Sequence, residues 1–155
     1  MTRNEIKITG AVEADCDEIA DIETKCFSVP WTREMISAQI SGEGKIMPVA
    51  KVGGVIAGYA GMTVAEDEGY ISNLAVLPGF RGIGIGKALL ARIKDAANEM
   101  RLAFVSLEVR VSNAAARSLY ESAGFKAAGI RKRYYDLPCE DAVIMTLFLS
   151  EERPC

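Results

Sequence analysis

The run Leu74-Ala-Val-Leu-Pro-Gly-Phe-Arg-Gly-Ile-Gly-Ile-Gly-Lys-Ala-Leu-Leu90 constrains this chain more than any other segment. The apolar residues up to Leu77 read as a strand that Pro78 ends, and glycines at 79, 82, 84 and 86 precede an amphipathic stretch opened by Lys87. A chain can leave a strand, turn through such a loop and enter a helix at once only where glycine permits backbone conformations closed to other residues. A helix start of this kind also presents several unpaired N–H groups and a partial positive charge. Together these make a seat for phosphate.

Spacing decides between the phosphate motifs. A P-loop needs Gly, four residues, then Gly-Lys-Ser/Thr. Here Gly82 lies only four positions before Gly86, and Lys87 is followed by Ala88, so no hydroxyl stands ready for magnesium. The dinucleotide fingerprint Gly-x-Gly-x-x-Gly fails in both frames, because its last position falls on Lys87 or Leu89. What remains is Arg-x-x-Gly-x-Gly, met by Arg81, Gly82, Ile83, Gly84, Ile85 and Gly86. That pattern resembles the acetyl-CoA signature of the GNAT N-acetyltransferases, in which consecutive loop amides wrap the pyrophosphate of CoA. A glycine-rich strand-to-helix turn without a ligand is the plainer alternative.

With 155 residues, half of them hydrophobic, the chain reads as a single domain over 1–155 that is long enough to bury a core. Its net charge of −3 argues against a nucleic-acid-binding surface. No apolar run reaches the length of a membrane span, and the N-terminus enters a strand-like alternation directly, so a cytoplasmic protein without a signal peptide is expected. Four cysteines without CxxC spacing and no histidine anywhere leave no basis for a metal site or a Cys/His nucleophile pair. Any general base must then be a carboxylate, a tyrosine, a water chain or the substrate itself.

Periodicity predicts a strand at 6–9 and a helix capped by Asp15 with Ile19, Ile22, Cys26 and Phe27 on its apolar face. Residues 28–32 interrupt it, and a short helix runs on to about Ser41. Strands follow near 46–52, 55–65 and 70–77, then the helix after Gly84, a strand at 103–111 and a helix from Asn113 closed by Gly124. Two final strands, about 126–136 and 141–149, meet around Leu137-Pro138. The order β-α-α-β-β-β-α-β-α-β-β is a mixed α/β domain, and it is the string expected for the GNAT fold.

The strand from 103 alternates, with Val105, Leu107 and Val109 on one face and Ser106, Glu108 and Arg110 on the other. By itself that pattern fits a solvated sheet face as well as a site. Leu107-Glu108-Val109-Arg110, Ser112-Asn113, Leu119-Tyr120-Glu121 and Gly124-Phe125 together are similar to the RimI family within the GNAT enzymes. So are Cys26-Phe27-Ser28 with Pro30-Trp31, the 70–76 strand, and Tyr134-Tyr135 with Pro138 and Glu140-Asp141-Ala142. These are acetyltransferases of the N-terminal alanine of the eighteenth small-subunit ribosomal protein. The resemblance covers about residues 5–149.

It implies Glu108 as the base that takes a proton from the acceptor α-amine, and Tyr120 as the acid that protonates the departing CoA thiolate. It implies that the backbone of Leu74, Ala75 and Val76 pairs with the pantetheine arm as an added strand. The segment Arg81 to Lys87 would hold the pyrophosphate, and Asn113 would contact the cofactor near its reactive end. Phe27, Trp31, Tyr134 and Tyr135 would line the groove for a protein N-terminus, probed most directly by an Ala-Arg- peptide. Strict alternation sends Tyr134 and Tyr135 to opposite faces, so only one is expected in the groove. Trp31 reads equally well as a core anchor. Arg131-Lys132-Arg133 reads as a solvated edge or as an attraction for the 3′-phosphate of CoA, and Asp136 and Glu140-Asp141 as attraction for a basic tail. A monomer or weak dimer is expected, without metal, nucleic acid or membrane. A broad N-terminal acetyltransferase, a small-amine acetyltransferase and an inactive acetyl-CoA sensor remain open alternatives.

The absence of histidine does not obstruct this chemistry. An α-amine has a pKa of ~7.7–8.0 and is substantially neutral near neutral pH, whereas a lysine amine at ~10.4 is not. A carboxylate acting directly or through water is then base enough, and a backbone amide at the end of the 70–77 strand is the expected oxyanion donor.

Overall fold

The computed structural model describes residues 5–136 and 138–149. Strand β1 (Ile6–Gly10) leads through a one-turn 3-10 helix (Glu13–Asp15) into α1 (Cys16–Cys26) and α2 (Arg33–Ser41). Then come β2 (Lys45–Ile46), β3 (Pro48–Val52), β4 (Val55–Ala65), β5 (Glu68–Val76), α3 (Ile85–Glu99), β6 (Phe104–Arg110), α4 (Ala114–Ser122), β7 (Lys126–Asp136) and β8 (Cys139–Phe148). This is the expected order with one extra element. The strand foreseen at 46–52 breaks at Met47, whose carbonyl instead accepts the Ala11 amide at 2.8 Å. Asp15 stands at the N-cap of α1 as expected, but its side chain serves the 3-10 turn: its Oδ2 accepts from the Val12 amide at 2.9 Å, and α1 has no side-chain cap. Leu137, at the final turn, lies outside the described residues.

The sheet runs β1-β3-β4-β5-β6-β8-β7, with β2 added on β4. Its neighbours are antiparallel except for β5 and β6, which are parallel. Helix α3 buries Ile85, Leu89, Leu90, Ile93 and Ala97, an apolar stripe at helical spacing, against Met62, Ile71, Val105 and Leu107 of the sheet. Helices α1 and α2 bury Ile19, Ile22 and Ile36 in a second cluster with Val49, Ile56, Tyr59 and Ala75. Strand β6 buries Val105, Leu107 and Val109 and leaves Ser106, Glu108 and Arg110 partly accessible, the alternation read from its sequence.

Two irregularities in β5 make the site. Gly61 pairs with Asn73 while Met62 pairs with Ile71, so Ser72 is an extra residue, a bulge. Before the bulge Ile71 joins the α3 cluster; after it Ala75, four residues on, joins the α1/α2 cluster. An unbroken strand would send both to one face. Second, parallel pairing with β6 covers only Glu68, Gly69 and Tyr70, opposite Phe104, Val105 and Ser106. Beyond Tyr70 the two strands part.

Gly58 on β4 backs this opening. A Cβ there would stand 2.7 Å from the Ala75 carbonyl and 3.1 Å from Ile85 Cγ2. Gly58→Ala is expected to cost about 1–3 kcal/mol in chemical denaturation, because backbone must shift to admit the methyl.

Candidate active site

The glycine loop is built for backbone contacts. Gly82 and Gly84 have φ of +83° and +96°, and a Cβ at Gly79, Gly82 or Gly84 would meet nothing within 4 Å. Gly84 is the N-cap of α3 and provides no side-chain cap, so the first-turn amides have no side-chain acceptor. An anion seated there gains those N–H groups and the helix dipole. Ile85 is buried in the core and offers only its backbone, while Ile83 and Lys87 are exposed. Gly86 serves packing instead. A Cβ there would lie 2.9 Å from Leu119 Cδ2, so the glycine lets α3 close on α4. Arg81 turns back from the loop, its Nε donating to the Val76 carbonyl at 3.0 Å. Leu74, Ala75 and Val76 pair with β4 on one side only, and their other edge faces the gap left by β6. An uncapped helix start, open glycines and a strand edge without a β partner, in line, fit a diphosphate joined to an amide-containing arm.

At the mouth of the gap lies a cavity of about 680 Å³. Glu108, Tyr120, Asn113, Leu74, Phe27, Trp31, Tyr134 and Tyr135 all line it, so residues scattered over more than a hundred positions of sequence converge on one space. Asn113 also caps α4, its side-chain oxygen accepting the Ala116 amide at 3.1 Å. Tyr120 is buried edge-on to Phe125, with ring centroids 5.8 Å apart. Burial, reinforced by charge at Tyr135, pushes its hydroxyl up to about 12. It therefore holds its proton across the neutral range.

Glu108 is not a free carboxylate. Its Oε1 accepts from Arg131 Nε at 2.9 Å, and its Oε2 accepts a short hydrogen bond from the Tyr70 hydroxyl. Tyr70 lies 3.4 Å, oxygen to oxygen, from the Tyr134 hydroxyl, and burial together with the bond to Glu108 raises its pKa well above the usual range. Both donors aim the Glu108 carboxyl group and leave lone pairs for a third. Neither donor was evident in the sequence. Tyr70 sits thirty-eight positions from Glu108 and meets it only because β5 and β6 are parallel neighbours there. Arg131 belongs to a basic triplet that reads as solvated or as a phosphate contact; the fold turns it onto the carboxylate.

The final hairpin corrects another expectation. Arg131 pairs with Ala142 and Tyr135 with Glu140, so three residues of β7 bulge against Asp141 alone. Arg133 takes φ +52°, and Asp141 fixes the bulge by accepting the Arg133 amide at 2.8 Å and Lys132 Nζ at 3.3 Å. Alternation is broken, and both Tyr134 and Tyr135 enter the cavity, their rings edge to face at 5.0 Å. Arg110 stacks 4.2 Å from the Tyr135 ring and is tied to Glu140, which also accepts the Ser112 amide at 2.6 Å. Glu140 and Asp141 therefore hold this end of the sheet rather than greeting a ligand. On the opposite wall the buried Glu23 accepts the Trp31 amide at 2.7 Å and Asn73 Nδ2 at 3.2 Å, pinning the loop between α1 and α2 to β5. Burial raises the Glu23 pKa, and these two donors partly offset that.

The raised Tyr120 pKa has a consequence for stability. Its folded value exceeds the unfolded value near 10, so the folded state holds the proton longer. The contribution is intact below about pH 10 and is lost as pH rises through about 12, by about 3 kcal/mol in all. Urea denaturation at stepped alkaline pH should show a shallower slope in Tyr120→Phe than in the wild type, the remainder coming from Tyr70 and Tyr135, whose pKa values are also raised.

Comparison with known proteins agrees with this geometry. The model of the acetyltransferase (GNAT) family matches residues 16–125. A putative ribosomal protein bS18-alanine N-acetyltransferase of Bacillus subtilis is 35% identical over 138 residues, covering 88% of this chain and 91% of the relative. The ribosomal protein bS18-alanine N-acetyltransferase of Escherichia coli K12 is 38% identical over 131 residues, 83% of this chain and 88% of its own. A crystal structure of the Escherichia coli ribosomal-protein-S18-alanine N-acetyltransferase superposes with a TM-score of 0.86 at 34% identity, covering 97% of this chain and 99% of that one. The open strand edge, the glycine loop and the cavity between them are thus those of an acetyltransferase, and the chain belongs to the GNAT family.

Proposed function

We propose that this protein transfers the acetyl group of acetyl-CoA to the N-terminal α-amine of a protein, and that its acceptor is the N-terminal alanine of ribosomal protein bS18. The single observation that carries the reading is a carboxylate held by two donors, Glu108, in one cavity with a protonated tyrosine, Tyr120, where β5 and β6 part. The relatives at 35–38% identity named for this activity support the choice of acceptor.

Acetyl-CoA brings the thioester acyl group, and its thiol leaves. The amides from Gly82 to Lys87 bind the pyrophosphate, and the open edge of Leu74, Ala75 and Val76 aligns the pantetheine amides. Glu108 accepts the proton of the incoming α-ammonium, directly or through one water. A carboxylate suffices as base for an amine of pKa ~7.7–8.0, which is already partly neutral near neutral pH. Tyr120 donates its proton to the departing sulfur and is reprotonated by the second proton that the nitrogen sheds on becoming an amide. Phe27, Trp31, Tyr134 and Tyr135 form the walls that orient the acceptor, and Asn113 fixes the start of α4, which carries Tyr120. Transfer is direct, because among the described residues the cysteine lining the cavity, Cys26, donates to the Val76 carbonyl and is not paired with a base. With a ribosomal acceptor the enzyme works in the cytosol, as a monomer or weak dimer.

Glu108→Gln and Tyr120→Phe are each expected to lower kcat by about 10²–10⁴-fold while acetyl-CoA affinity, followed by calorimetry, stays within about threefold. Near-normal turnover in both variants refutes these roles. Across N-terminal peptides, the Ala-Arg- sequence should outpace Met- and Ser-starting ones; a flat profile would favour a broad N-terminal acetyltransferase. Asp141→Ala releases the bulge that seats both tyrosines, so KM for the peptide should rise about tenfold with KM for acetyl-CoA unchanged. A matching rise in both would show that the hairpin does not serve the acceptor alone.

A further inference from the structure

The last turn of α1 is tied to β5 at two points, and one of the ties is a buried carboxylate that the chemistry above does not use. Glu23 is 1% exposed, yet its contacts among the described residues are hydrogen bonds without a cation. A carboxylate so placed is costly unless its oxygens are satisfied. Each oxygen is satisfied by a different part of the site. Oε1 accepts the Trp31 amide at 2.7 Å, in the loop that walls the acceptor side. Oε2 accepts Asn73 Nδ2 at 3.2 Å, and Asn73 is the residue of β5 directly before the open edge of Leu74, Ala75 and Val76. One turn on, Cys26 Sγ donates to the Val76 carbonyl at 3.7 Å, the same carbonyl that takes Arg81 Nε at 3.0 Å. Asn73 is held by its nitrogen alone. Nδ2 also donates to the Tyr59 hydroxyl at 3.4 Å, while the buried Oδ1 has no partner among the described residues.

We propose that Glu23 is a positioning residue that couples the two substrates: filling the donor edge of β5 orders the Trp31 loop and so raises affinity for the acceptor. The proposal rests on the Nα-acetyltransferase reading. Beyond Tyr70 the β6 side of β5 has no strand beside it, so this backbone gains its missing hydrogen bonds only when a ligand with amides of its own lies along it. Asn73 follows that change readily, because contacts of 3.2 and 3.4 Å with an idle oxygen hold its amide weakly. Glu23 cannot follow Asn73 without carrying Trp31, since its two oxygens sit on one carbon. The route from donor edge to acceptor wall is therefore three residues long, Asn73 to Glu23 to Trp31, and every link in it is a hydrogen bond inside the protein. Binding of either substrate must then favour the other by the same factor.

The test is a binding cycle by calorimetry, with coenzyme A as the donor-site probe and an Ala-Arg-starting hexapeptide as the acceptor, a pair that cannot react. In the wild type, coenzyme A should tighten peptide binding by about tenfold, and the peptide should tighten coenzyme A equally. Asn73→Ala cuts the link on β5 and Glu23→Ala removes both links. In each the mutual tightening should fall to near one, while affinity for coenzyme A alone stays within about threefold of the wild type. Glu23→Gln can rebuild the link, its oxygen taking the Trp31 amide and its N–H meeting Asn73 Oδ1 once that amide turns over, and should keep most of the factor. A merely structural role would weaken single-ligand binding and leave the mutual factor intact. Asn73→Ser, a smaller step, carries the same expectation where an alanine variant fails to hold coenzyme A. Absence of tightening in the wild type, or a factor that survives Asn73→Ala and Glu23→Ala, would overturn the coupling while leaving Nα-acetylation standing. Failure of the wild type to acetylate any N-terminal peptide would overturn both.

Discussion

Parallel pairing between β5 and β6 lasts for three residue pairs and then stops, and the rest of the molecule is organised around that stop. Unpaired backbone inside a sheet is costly unless something satisfies it. Here the unpaired edge opens beside a helix start whose amides have no side-chain cap, so two backbone-rich surfaces face one space. The bulge at Ser72 sits where the strands diverge and changes which residues of β5 point to which helical layer. As a result one strand leaves its backbone edge open to the gap beyond the bulge and sends Tyr70 to Glu108 before it.

Charge in the site is held rather than merely present. Glu108 lies between a guanidinium and a phenol, from strands β7 and β5, so its position depends on three strands at once. Each wall of the cavity rests on a further carboxylate that fixes its geometry: Glu23 under the Trp31 loop and Asp141 under the β7 bulge. In a chain without histidine, burial raises the pKa of both the Tyr120 hydroxyl and the Glu23 carboxyl beside this cavity.

The backbone plan was legible because its signals are local. Alternation in β6, the stripe in α3 and Gly124 closing α4 are patterns within a dozen residues, and the resemblance to a known family supplied Glu108 and Tyr120 as candidates. What escaped were contacts made by topology. Tyr70 reads as one aromatic in a strand until β6 is laid beside it. Arg131 reads as an exposed cation until a bulge, set by a hydrogen bond from a backbone amide to Asp141, turns its neighbours. The expectation that Tyr134 and Tyr135 would diverge failed for the same reason, since strict period two holds only in a strand without extra residues. Asp15 shows the local limit: a good capping residue chose the one-turn helix before it over the longer one after.

The three glycines at 82, 84 and 86 look like equivalent letters of one ligand motif, yet they answer to different authorities. The first two are required by backbone angles and clearance over the loop; the third is required by Leu119, the residue before Tyr120. Loss of a ligand alone would release none of them, since the first pair is held by left-handed backbone angles and the last by a neighbouring helix. Persistence of a glycine at 86 is therefore testimony about two helices staying in contact, and persistence of its companions testimony about the shape of the turn.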